Sequence, residues 1–139
     1  MMGTASARRF AREALRNGLP LAPTGDLRIT ERWTELVLYR DGARQVELVV
    51  LQPGVTVPRH KHLRCESADV SLAGTGVFEI AGRVLDFTHD GQRCGRRLFD
   101  VPRDTPHGGA SGAGGAAYLS FQVWQGQPGF IADDWEDCP

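Results

Sequence analysis

PGVTVPRHKH, residues 53–62, and VPRDTPHG, residues 101–108, hold three of the four histidines of this 139-residue chain. In the first stretch a Pro-Gly turn leads into a Val-rich segment of strand character that ends on His60 and His62. Side chains alternate faces along a strand, so imidazoles at i and i+2 point the same way, about 7 Å apart at their Cα atoms. That arrangement suits a divalent transition metal, for which neutral imidazole is the commonest protein ligand. Glu66 follows at the spacing HxHxxxE, and the second stretch delivers His107 after a Pro-bounded turn.

The surroundings of both stretches read as strands. Leu27–Ile29, Leu36–Tyr39, Gln45–Leu51, Val55–Val57, Ala68–Leu72, Val77–Ile80, Leu98–Val101 and Ala117–Trp124 are short apolar segments separated by Gly, Pro or Asp. This punctuation predicts an all-β sandwich or closed barrel over residues 26–125. Asp41-Gly42 and Ala81-Gly82 mark tight turns, and the SGAGG run Ser111–Gly115 reads as a flexible hairpin loop. Ahead of the barrel, residues 1–25 form a helical extension and linker. Ser6 is placed to cap a helix over Ala7–Asn17, with Phe10, Ala14 and Leu15 on its apolar side and Gly18 as its stop. So short a helix must dock on the body or on a partner. Residues 126–139 form an acidic tail, with Trp135 expected to pack against the barrel.

Composition narrows the function classes. With 41% apolar and 24% charged residues the chain is an ordinary globular one, which excludes wholesale disorder. The net charge of −1 comes without a basic face, so a nucleic-acid partner is not expected. No apolar run reaches the roughly 20 residues of a membrane span, and the opening residues lack the apolar region of a signal peptide. Cys65, Cys94 and Cys138 are odd in number and form no CxxC pair, which points to a reducing, cytoplasmic setting.

Together the two histidine stretches resemble the cupin superfamily. Its first motif, G(x)5HxH(x)3–4E(x)6G, is met by Gly54, His60, Lys61 and His62, with Gly74, Gly76 and Gly82 where the family places its hairpin glycines. Its second, Pro-x-Gly-x-x-His, is met from Pro102 to His107, with Asp104 in place of the glycine. The resemblance runs from about Val46 to Trp124. It implies a double-stranded β-helix, the cupin jelly-roll barrel, holding one Fe, Mn, Ni, Cu or Zn ion on three His and often one Glu. It also implies a small-molecule ligand or substrate and a homodimer.

The acidic ligand is where two counts conflict. With six residues between the acid and Gly74, as the motif requires, the position falls on Ser67, not Glu66. Apolar alternation argues the other way, because Ala68, Val70 and Leu72 share parity with Glu66 and are expected to face the core. The expected ligand set is therefore His60, His62, Glu66 and His107, with a three-His site as its alternative. His89, in a turn, is expected on the surface, and Cys65 and Cys94 in packing roles. Arg59, Arg64 and Arg103 flank the histidines and can grip an anion or form a solvated rim. Asp69 or Tyr118 can serve as an acid–base group only where they reach the pocket. The function expected is a metal-dependent enzyme on a small organic molecule, oxygenase-type ahead of isomerase or lyase. The alternatives are a non-catalytic binding or assembly module and, third, a relative of sugar-nucleotide epimerases.

Overall fold

The computed structural model describes residues 2–87 and 98–139, so His89 and Cys94 lie outside the described residues. One helix, α1 (Met2–Asn17), precedes the strands β1 (Leu27–Ile29), β2 (Trp33–Asp41), β3 (Arg44–Leu51), β4 (Thr56–Lys61), β5 (Cys65–Ile80), β6 (Arg83–Asp86), β7 (Leu98–Val101), β8 (His107–Trp124) and β9 (Glu136–Asp137). The all-β architecture expected from the punctuation is what forms, although the predicted segments Ala68–Leu72 and Val77–Ile80 fuse into one strand, β5.

Two long strands organise the fold. β5 and β8 pair antiparallel from Cys65↔Trp124 to Ile80↔His107. The second half of β8 also pairs with β3, and its first half with β4. β5 divides likewise, its first half against β7 and its second against β6. Each long strand thus belongs to both halves of a curled sheet. The bend falls at register breaks between Ser71 and Ala73 and between Gly74 and Gly76. There the backbones approach so closely that a Cβ on Gly74 would lie 2.1 Å from the Gly115 carbonyl oxygen, and one on Gly112 2.0 Å from Thr75 Oγ1. This corrects the reading of Ser111–Gly115 as a hairpin loop. The glycines are inside β8, at the corner where two strands cross without room for side chains.

α1 extends back to Met2, so Ser6 lies within the helix rather than at its N-cap. Gly18 closes it as expected, at φ +82° with its N–H on the Ala14 carbonyl 2.9 Å away. Phe10 and Ala14 are buried while Leu15 is exposed. The helix lies on the outer face of the sheet, against Val46, Ala68, Val70, Leu119 and Phe121. Phe10 meets Phe121 edge to face, ring centroids 5.6 Å apart. An ion pair between Arg8 and Asp100 (2.6 Å) ties the helix to β7.

This docking explains the parity of β5. Ala68 and Val70 are apolar because a helix covers the outside of the sheet, not because they face the barrel interior. The interior is part apolar and part polar. Phe99, Val101 and Ala116 belong to an inner cluster, while Glu35, Glu47, Asp69, Gln122 and Ser120 are buried beside them. No helix among the described residues is long and apolar enough to cross a membrane.

Candidate metal centre

His60 and His107 face each other across the β4–β8 ladder, and His62 follows on the same side of the chain as His60. All three are buried, and their candidate ligand nitrogens lie within 4.8 Å of one another. Each ring is held from behind by a backbone carbonyl. His60 Nδ1 donates to Pro58 O at 2.7 Å and His107 Nδ1 to Thr105 O at 2.9 Å. His62 Nδ1 donates to Asp134 O. A carbonyl oxygen only accepts, so each Nδ1 carries the proton and each Nε2 keeps a free lone pair. Orienting contacts of this kind fix tautomer and ring direction around metals.

The electrostatics act in the same sense. Burial, then the neighbouring His107, pushes His60 down to about 3 and His62 down to about 4. His107 is also lowered, chiefly by burial. Three neutral imidazoles therefore meet at neutral pH, and this donor set fits a divalent transition ion.

Glu66 is not brought to this group. Its Oε1 accepts the Ala7 N–H at 2.9 Å on the outer face, beneath α1. The expectation that apolar parity marks the inward face fails here because the helix supplies an apolar environment outside. Ser67, the position favoured by the family's spacing, lines the cavity in its place, and so do Asp69 and Tyr118. The flanking arginines do not. Arg59 pairs with Glu79 at 3.0 Å, and Arg64 lies over the Trp124 ring, 5.1 Å from its centroid.

The tail completes the site. Trp135 lies flat on His60, ring centroids 3.4 Å apart and planes 4° from parallel. Its position is fixed on both sides. β9 pairs with β4 at His60↔Asp137 and Lys61↔Glu136, and the Asp134 carboxylate accepts the N–H groups of Arg64 and Cys65, each at 2.9 Å. Trp135 thus lies against two of the three candidate ligands, His60 and His62.

Below the histidines the cavity meets carboxyl groups that sequence reading did not single out. Glu35 lines it, and Glu47, buried and outside the lining, accepts from Gln122 Nε2 at 2.9 Å and from the Ile131 N–H at 2.8 Å. Burial and the nearby Glu35 push Glu47 up. Asp69 is pushed up to about 7 by burial, against hydrogen bonds from Ser120 and Ser67 that favour its ionised form. The signal for these acids was present in TELVLYR and VELVV, where a Glu sits inside an otherwise largely apolar strand.

No known family model and no characterised protein sequence matches the chain. Solved structures do. KdgF from a Halomonas species superposes with TM-score 0.61 at 15% identity, over 72% of this chain and 86% of its own. The cupin domain of Schizosaccharomyces pombe Cnp3 superposes with TM-score 0.59 at 14% identity, over 72% of this chain and 69% of its own. The chain has the cupin fold. A third cupin-fold neighbour, Streptomyces Pac13 with uridine, gives TM-score 0.58 at 15% identity over 82% of this chain and 84% of its own. Pac13 is described as a nucleoside dehydratase. At these identities the likeness carries the fold and not the activity.

Proposed function

We propose that this cupin-fold chain is a metal-dependent enzyme acting on a small organic molecule, with His60, His62 and His107 as the protein ligands. One observation carries the reading: each imidazole is turned by a carbonyl behind it so that its free nitrogen enters one shared cavity. A bound Fe, Mn, Ni, Cu or Zn ion would supply Lewis acidity at a substrate oxygen or, where redox-active, a partner for dioxygen. With Glu66 outside the set, three protein ligands leave positions open for substrate.

Asp69 changes the order of the reaction classes. A carboxyl group with its midpoint near neutrality, inside the same cavity, can hold and return a proton during turnover. Isomerase or lyase chemistry therefore stands ahead of oxygenase chemistry. Ser67 and Ser120 position the carboxyl, Phe78 and Phe87 keep water from the walls, and Trp135 covers His60. The ligand seen in Pac13 supports a small-molecule substrate for this cavity too.

Metal analysis of the purified chain tests the proposal. About one ion per chain is expected in the native protein, lost in His60→Ala and in His107→Ala but kept in Glu66→Gln. A native protein that neither carries nor takes up any of the five ions would sink it.

A further inference from the structure

The carboxyl groups at the cavity floor say what kind of molecule the site receives. Glu35 and Asp69 are almost wholly buried, 1% and 5% exposed, and both line the cavity. Glu35 Oε2, Glu47 Oε1 and Asp69 Oδ1 have no donor from another residue type among the described residues, and Glu35 and Glu47 are linked to each other by a side-chain hydrogen bond. Glu35 Oε1 accepts the Ala132 N–H at 3.2 Å, and Glu47 Oε2 is taken by Gln122 and Ile131. Asp69 Oδ1 is left over, on a residue that lines the cavity. A buried polar oxygen without a partner is unfavourable, so a site that leaves one toward its ligand is matched by a ligand donor.

The remaining lining restricts that ligand further. Val49, Leu51, Phe78 and Phe87 make an apolar wall. No arginine or lysine is among the described residues that line the cavity. The bases closest in sequence to the histidines are engaged elsewhere, Arg59 with Glu79 and Lys61 with Asp104 at 2.7 Å. An incoming carboxylate or phosphate would bring acceptors and negative charge to two acids, with no side-chain cation among the described lining residues to receive it. A hydroxyl both donates and accepts, and so satisfies a carboxyl group in either protonation state.

We propose that the cavity takes an uncharged, hydroxyl-bearing molecule with an apolar body and discriminates against carboxylates and phosphates. This deepens the proposed function and rests on the same cavity, but it does not depend on the ion. An ion at the histidines would attract anions, which is why the test is run with and without one.

The test is calorimetric titration of the full chain, zinc-loaded and metal-free, with 1-phenylethane-1,2-diol and with mandelate. The two share a skeleton and differ by a hydroxymethyl group against a carboxylate. In the metal-free chain the diol is expected to bind about tenfold more tightly or better, as sites built around a substrate hydroxyl discriminate strongly. Glu35→Gln and Asp69→Asn are each expected to narrow that ratio. Equal or tighter mandelate binding, binding of neither compound, or a ratio unchanged in both variants would overturn the inference. Should the variants not fold, the wild-type ratio alone decides. A diol preference in a chain that neither carries nor takes up any of the five ions sinks the metal reading and leaves this one standing. Zinc uptake without a diol preference does the reverse.

Discussion

Replacing Asp69 by Asn isolates the titration of one buried group. Asp69 is 5% exposed, and burial raises its carboxyl from 3.8 to about 7 against the opposing hydrogen bonds of Ser120 and Ser67. Asp100, across the ladder on β7, adds a smaller push in the same direction. The unfolded chain releases this proton near 3.8 while the native chain keeps it until about 7. Between those values the native state holds one proton more, so stability falls as pH rises, at about 1.4 kcal/mol per pH unit. Over the whole window this amounts to about 4 kcal/mol, of which Asn at this position would show nothing. The histidines act in the opposite sense. His60 and His62, lowered to about 3 and about 4, hold fewer protons natively than unfolded, and their contribution makes stability rise as pH climbs toward 6.5. The wild-type profile alone is therefore blunted, and only the difference between the two proteins is informative. Urea unfolding of chelator-treated wild type and Asp69→Asn, from about pH 5 to about pH 6.5, should show the variant gaining roughly 2 kcal/mol on the wild type. A difference that stays flat across that interval, or that moves toward the wild type, would refute the assignment of a raised carboxyl at this position.

Three further expectations follow from particular contacts. Trp135→Ala removes the ring that lies flat on His60, so a chelator should strip the ion roughly tenfold faster, as for other groups that support metal ligands; an unchanged stripping time course would deny Trp135 its role as a cover. Glu66→Ala takes the acceptor from the Ala7 N–H and should cost about 1–3 kcal/mol in urea unfolding with metal stoichiometry intact, whereas loss of the ion would return Glu66 to the ligand set. Phe10→Ala empties the space between α1 and Phe121 and should cost about 3–5 kcal/mol, measured in the same way, and a cost under about 1 kcal/mol would mean that the helix is not docked on the sheet.

Which parts of this molecule could be read from its sequence depends on how local their causes are. His60 and His62 were legible because one strand's alternation places them together, and His107 because a Pro-bounded turn marks its delivery. The corner at Gly74 and Gly112 was not, because a glycine that lets two backbones touch and a glycine that frees a loop leave the same letter in the chain. Glu66 is the most instructive case. The inference from Ala68, Val70 and Leu72 assumed that an apolar face is an inward face, which holds for a sheet with one buried side. Here α1 buries the outer side of the first half of β5, while Ser67 and Asp69 on the inner side line the cavity, so both faces are buried and the polar one borders the cavity. Apolar parity then identifies where the helix docks, and the inward residues are found by what they oppose: an Asp or Glu in a strand with no exposed face. Applied to β2 and β3, the same criterion picks out Glu35 and Glu47, the two acids that share the barrel interior with Asp69. In a small barrel with an outer helix, the exception to the hydrophobic pattern is therefore a better pointer to the site than the pattern itself.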